Sequence, residues 1–527
     1  MFSKTQIAAS EQLTKELNLP RAIAELLVLR KIYTAADCER FFKSDYIPLA
    51  ENSPDLLIAV QHTIQLLNSQ KKILVYADCT VIGLINGIAL FSFLKHHHAD
   101  VTIYIPNRKE DRFGIHLQSY ILTHDQIPDL IFFTGCRFDS QIQYQKEKEI
   151  FACPFIFFKS NEKTVSLEKS DSEIAVEADQ TVNLFRFLEL IDMELKTANL
   201  NKVIDLLAFS LVTSEQAVFG IVRFILQKTE NLISANRSLY LNYWKDQSGD
   251  WSALYSIINS NLILGENKLL VTILNETNNQ NLIKQAELLF INHRRRLNQL
   301  KKIVEMENLA DYQQPESGLI LIRKDHLNPD QLNILALTLS KIHQKPVIAY
   351  KEADSELICS CYSEESVNFK EQLIDLKLKP KGHMNSFSLI LAKDEAIDIF
   401  VAIDKQLSSD LKKSDMNNLH LNLDEIDDRF MRLLKLFEPF GKGNPNPVFL
   451  ATDLELIGPV QKLRSKHLKF NVRQDKKVYE SIAFNFSDHY DWVLSKRNNL
   501  SFRFQLNETF WAGKKSLQLN IKGFDSK

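Results

Sequence analysis

Four apolar runs set the pattern of the first third of the chain: Ile73-Leu74-Val75-Tyr76, Val101-Thr102-Ile103-Tyr104-Ile105, Leu130-Ile131-Phe132-Phe133 and Pro154-Phe155-Ile156-Phe157-Phe158. Each is short and continuously apolar, the mark of a strand buried on both faces. Between them, apolar residues three and four apart predict helices over about 84–97, 116–122 and 138–149. Strands alternating with helices make a parallel sheet covered on both sides. Upstream, Pro20 opens one short helix and Pro54 to Ser69 reads as another. Downstream, residues 188–305 are mostly helical and end in a basic segment around Arg294, Arg295 and Arg296.

A second α/β unit begins at Gly318-Leu319-Ile320-Leu321-Ile322, with a helix over about 329–343 and a strand at Pro346–Tyr350. After a helix at 424–436 the period changes from 3.6 to 2. Leu468, Phe470 and Val472 alternate with Lys469, Asn471 and Arg473; Phe502, Phe504 and Leu506 alternate with Arg503 and Gln505. Short alternating strands of this kind predict a small β-barrel.

Composition changes this picture little: 45% hydrophobic and 25% charged residues describe an ordinary globular protein. Six cysteines form no Cys-x-x-Cys pair and lie in apolar segments, and no apolar run approaches the roughly 18 residues of a membrane span. Both features lead us to expect a reduced, cytoplasmic protein with no membrane partner. Charge adds an asymmetry. Residues 420–527 carry 18 Lys and Arg against 13 Asp and Glu; the remainder carries 46 against 53. A basic terminal module on an acidic body points to a polyanionic ligand.

The chemistry begins at Ala77-Asp78-Cys79-Thr80-Val81-Ile82-Gly83, the turn after the first strand. Its carboxylate belongs at the carboxyl end of a parallel sheet, where open α/β folds bind ligands. A metal-dependent hydrolase needs two or three acids in such a turn, and this one has Asp78 alone.

Several segments resemble the RecJ family of DHH/DHHA1 phosphoesterases, single-strand-specific 5′ exonucleases. Tyr104-Ile105-Pro106-Asn107-Arg108 followed by Phe113-Gly114 resembles the family's Y-I-P-N-R…Y-G segment, and Asp205-Leu206-Leu207-Ala208 its D-L-V-A helix. Asn328-Pro329 through Ala336, then Lys345-Pro346-Val347, resembles the DHHA1 domain, and Lys381-Gly382-His383 stands where the family has G-G-H. Leu436-Phe437-Glu438-Pro439-Phe440-Gly441-Lys442-Gly443-Asn444-Pro445 resembles the L-x-P-F-G-x-G-N-P approach to the family's OB-fold. Lys466-His467-Leu468-Lys469, Ile482-Ala483-Phe484 and Trp511-Ala512-Gly513 continue that pattern. The resemblance implies an α/β fold with a DHH-type parallel-sheet domain (61–230), a long connecting helix (within 231–308), an α/β DHHA1 domain (309–412) and a C-terminal OB-fold β-barrel (420–527), behind an N-terminal helical segment (1–60).

The family's reaction is phosphodiester hydrolysis at two divalent ions held by carboxylates and imidazoles. Matched motif by motif, the ligands are largely missing. Thr80 and Ile82 replace two acids of G-D-Y-D-A-D-G; Gly135, in Thr134-Gly135-Cys136-Arg137, replaces the third-strand acid. Lys159-Ser160-Asn161 stands at the D-H-H position and Ser214 at a further acid. Asp78 is the one acid retained. No catalytic residue and no metal ligand is therefore assigned, and no cofactor is expected; Mn²⁺ or Mg²⁺ would be required if a working nuclease site survives. Asp111, His116, Asp129, Asp139, Asp205 and Glu215 are the neighbours from which substitute ligands could come.

Candidate nucleic-acid contacts are Arg108, Gly382, His383, Lys462, Lys466, Lys469, Arg473 and Arg503, with Arg464 in the same basic stretch. The expected function is that of a RecJ-like protein of DNA repair and recombination that binds single-stranded DNA after losing metal-dependent cleavage. It would act alone or beside an active nuclease, helicase or replication protein. The alternatives are an active 5′→3′ single-strand exonuclease with an atypical metal site, and a protein–protein scaffold that no longer meets nucleic acid.

Overall fold

The structure, a computed structural model, describes residues 2–43, 53–107, 114–122, 124, 127–138, 140–158, 165–177, 179–214, 216–234, 243–244, 251–276, 278–305, 317–343, 345–363, 369–382, 385–410, 419–464, 466–511 and 514–524. Two compact units make up the chain. One comprises residues 46–216 and 221–411; the other joins residues 1–45 and 217–220 to 412–527.

In the first unit, the apolar runs form β1 (Lys72–Ala77), β2 (Asp100–Tyr104), β3 (Leu130–Thr134) and β4 (Phe155–Phe158). A fifth strand that the apolar pattern does not announce, β5 (Ser172–Ile174), has one residue facing partly outward between two buried ones. The sheet is parallel in the order β2-β1-β3-β4-β5. Its helices are Val81–His96, Leu117–Ile121 and Gln141–Phe151, close to the expected bounds, with the differences at their starts set by caps. Thr80 accepts from Gly83 N and starts the first helix earlier than the apolar period implies; Ser140 accepts from Gln143 N and starts the third one later. One face of the sheet buries an aromatic cluster in which the Phe133 and Phe157 rings stack at 4.7 Å.

Helical segments follow, ending in the 27-residue helix Asn279–Glu305, about 40 Å long at 1.5 Å per residue. A second sheet holds β6 (Ile320–Arg323), β7 (Val347–Ala353), β8 (Glu356–Tyr362), β9 (Lys381–Gly382) and β10 (Ser386–Ala392) in the order β6-β7-β8-β10-β9. Only β6 and β7 are parallel; β7–β8, β8–β10 and β10–β9 are antiparallel. The helix Pro329–His343 falls where its periodicity puts it. Cys359 and Cys361 are fully buried in this unit's core.

The second unit is a barrel of β11 (Leu419–His420), β12 (Phe449–Leu463), β13 (His467–Gln474), β14 (Lys477–Ala483), β15 (Leu500–Trp511) and β16 (Lys514–Phe524). A β12–β15 pairing closes the order β11-β12-β13-β14-β16-β15 into a ring. Leu468, Phe470, Val472, Phe502 and Phe504 point into its core as the period-2 pattern requires. The same core holds Leu13, Ile23, Leu26, Leu27 and Phe41 from the N-terminal helices. All six cysteines are free thiols, and among the described residues no helix is long and apolar enough to cross a membrane.

Candidate functional site

The register between β1 and β3 fixes the geometry of the motif residues. Ala77 pairs with Thr134, so Asp78 and Gly135 emerge side by side at the carboxyl end of the sheet. Asp78 is 4% exposed, and its backbone N–H donates to Thr134 O at 2.9 Å. Its carboxylate accepts from Gly114 N at 3.5 Å. The Tyr76 hydroxyl, buried beneath, donates to Gly114 O and accepts from His116 N, which holds the Gly114–His116 segment over the strand end. Burial raises the Asp78 pKa, and backbone N–H donors from Gly114 and Cys79 oppose that rise only in part.

Beside Asp78, at Gly135, the space is closed by backbone. Gly135 has φ of +78°, and a Cβ there would lie 2.4 Å from Gly83 Cα and 3.3 Å from Asp78 Cβ. Gly135 N donates to Gln180 Oε1 at 3.1 Å, and the Thr134 hydroxyl donates to Gly83 O at 2.9 Å. The start of the helix Val81–His96 is thus pinned directly onto the end of β3. A side chain at 135 has no room to reach a shared ion.

Among the described residues, the possible substitutes do not converge on this point. Asp129 sits at the opposite, amino end of β1, accepting from Lys72 N at 2.9 Å. Asp205 accepts from Leu206 N at the start of its own helix. His116 precedes the helix Leu117–Ile121, tied through its backbone to Tyr76. Asp111, Asp139, Glu215 and Lys159-Ser160-Asn161 lie outside the described residues. Among the described residues, no group of three His, Cys, Asp or Glu side chains is placed to hold a metal ion.

One carboxylate near these motifs was missed by the sequence reading. Asp179 caps the helix Gln180–Leu195, accepting from Thr181 N and Val182 N, and its side chain meets Ser214. Burial raises its pKa too. Its signal was the ordinary one, an Asp just ahead of an apolar helix. Each acid is satisfied by backbone donors, as a structural cap is. Among the described residues the donor set does not fit two hard dications, which need roughly six oxygen ligands each.

A raised carboxyl pKa has a testable consequence. Native Asp78 binds its proton more tightly than the unfolded chain does, so its contribution to stability is greatest at low pH. That contribution falls as pH rises from the ordinary carboxylate range through the raised native value. Asp78→Asn is expected to flatten this slope, gaining on the parent protein as pH increases. Urea unfolding followed across pH 4 to 8 checks it.

The candidate nucleic-acid contacts divide in the structure. On the barrel's outer face, Lys469 Nζ lies 2.8 Å from Glu480 Oε2, and Arg473 Nη2 lies 2.6 Å from Glu455 Oε2. Arg503 stands half-exposed on β15. At one end of the barrel, Lys462, Arg464 and Lys466 are exposed around the β12–β13 turn, with Lys462 Nζ 4.5 Å above the Tyr490 ring. Gly382 pairs with Phe387 at the edge of the second sheet. Arg108 and His383 lie outside the described residues. Asn107, beside Arg108, is packed against Gly265, and Asn267 Nδ2 donates to Pro106 O at 3.0 Å, so the helical segments hold this stretch.

Residues 418–523 match the family model of the RecJ OB domain. The chain is a RecJ-like protein. It is 21% identical to the single-stranded-DNA-specific exonuclease RecJ of Bacillus subtilis strain 168, over 97% of this chain and 69% of that one. Two crystal structures of RecJ from Thermus thermophilus share the RecJ-like fold. The Mn²⁺ complex superposes with a TM-score of 0.72 at 17% identity, covering 99% of this chain and 78% of that one. The Mg²⁺ complex gives 0.67 at 16% identity, covering 99% and 77%.

Proposed function

We propose that this chain is a single-stranded-DNA-binding RecJ-like protein that has lost metal-dependent cleavage. The observation that carries this reading is the closure of the strand end. Gly135 packs against Gly83 where an acidic ligand would have to stand, which leaves Asp78 as a buried, backbone-bonded carboxylate. The Bacillus relative's specificity for single-stranded DNA, the RecJ OB match and the basic balance of residues 420–527 support a nucleic-acid ligand. A DNA-holding scaffold without cleavage suits an accessory role beside an active nuclease, helicase or replication protein in DNA repair or recombination.

Two measurements test the reading. The purified chain with Mn²⁺ and 5′-labelled single-stranded DNA is expected to release no nucleotides; release that Asp78→Ala abolishes would establish the working exonuclease instead. Single-strand affinity is expected to fall with salt, by about 0.7 in log–log slope per phosphate contact. No affinity even at ~50 mM salt would favour the protein–protein scaffold.

A further inference from the structure

The barrel presents cations in two settings of different character. On the strand face, Lys469 and Arg473 each stand against a carboxylate of the adjoining strand. Glu480 is held ionised, its pKa lowered by hydrogen bonds from Lys469 and Gln518 against the opposing effect of burial. Two cations and two anions sum to no charge, and a phosphate approaching either cation meets a carboxylate as well.

At the end of the barrel the β12–β13 turn carries Lys462, Arg464 and Lys466, all exposed. Among the described residues, none of these three has a carboxylate within ion-pair distance. The segment after β14 lies against this turn. Asn485 N donates to His467 Nδ1 at 2.9 Å, and Ser487 N donates to Lys466 O at 3.2 Å. Beside them stands Phe484, 47% exposed, its ring braced edge-on by His467 at 5.3 Å. Behind it Phe486, His489, Trp492 and Phe524 interlock; Phe486 meets Phe524 at 5.4 Å and His489 stacks on Phe524 at 5.3 Å.

An exposed aromatic face near cations that have no carboxylate partner among the described residues is the chemistry that takes up a stacked base with its flanking phosphates. We propose that single-stranded nucleic acid is held at this barrel end, with a base stacked on Phe484 and phosphates neutralised by Lys462, Arg464 and Lys466, and not across the Lys469–Arg473 strand face. This rests on the single-strand reading above and adds the location and the mode of contact.

The test is a fluorescence-anisotropy titration of the full chain with a labelled oligothymidine across a salt series, repeated with an abasic strand. Phe484→Ala is expected to bind oligothymidine about tenfold more weakly with an unchanged salt slope, and Phe484→Trp to stay within about twofold of the parent. On the abasic strand Phe484→Ala and the parent should be equal. Lys462→Gln with Lys466→Gln should reduce the salt slope by about 1.4, from roughly 0.7 per phosphate. Lys469→Gln with Arg473→Gln should change affinity less than about twofold. Phe484→Ala binding like the parent, or the loss falling on the Lys469/Arg473 pair, overturns the proposal while single-strand binding stands. A parent protein that binds neither strand at ~50 mM salt overturns both.

Discussion

Gly135→Asp is expected to destabilise the parallel-sheet unit by about 3–5 kcal/mol, although it places a second acid beside Asp78. The new Cβ would lie 2.4 Å from Gly83 Cα, a backbone atom at the capped start of a buried helix that cannot swing aside. The φ of +78° adds strain for any residue with a side chain. Gly135→Ala separates sterics from charge and should account for most of the loss. Thr80→Asp is the contrast: Thr80 caps the helix through Gly83 N, and aspartate caps as well as threonine, so stability should move by less than about 0.5 kcal/mol. Urea unfolding of the three variants, followed by hydrogen exchange in β1 and β3, checks these values. Mn²⁺ titration of Thr80→Asp combined with Ile82→Asp should show no tight site, because the third strand still has no ligand to offer.

Asn444→Ala is expected to cost the barrel unit about 3–5 kcal/mol and to loosen the N-terminal helices first. Asn444 is fully buried; its Nδ2 donates to Phe437 O at 2.6 Å and Pro439 O at 2.8 Å, while its Oδ1 accepts from Arg30 Nε. Arg30 in turn donates to Leu26 O and Pro445 O and lies 4.9 Å from the Phe437 ring centre. Truncation takes a donor from each of two buried carbonyls and an acceptor from a buried guanidinium. Asn444→Asp should destabilise too, since its second oxygen would face those carbonyls, although its charge would suit Arg30. Faster hydrogen exchange in Arg21–Leu29, with β13 and β14 less affected, is the expected signature. The Leu436–Pro445 stretch, part of the tightest segment of the family resemblance, thus ties the N-terminal helices to the approach to the barrel.

How much of this was legible depended on the range of the interaction. The strands at 72–77, 130–134 and 155–158 could be read because a strand buried on both faces must be apolar throughout. The barrel could be read because burial on one face forces period 2. Strand β5 escaped: three residues are too few to show a period. The β7–β8 hairpin escaped because the pattern marks that a strand exists and not which neighbour it joins. At the candidate site, Asp78 was visible as the acid of its turn, whereas Asp179 was visible only as a helix cap. Lys469 and Arg473 look like free cations along the chain; Glu480 and Glu455 reach them only across strand pairs, and sequence spacing does not encode that register.

The sequence by itself therefore determined the apolar strands and the barrel, both properties carried by residue identity or short period. The tertiary structure alone decided that helices from the first 45 residues complete the core of a barrel built from the other end of the chain, and that Gly83 occupies the space beside Gly135. Both are contacts between segments far apart along the chain. Their energies depend on small differences in distance, which no local pattern of residues specifies.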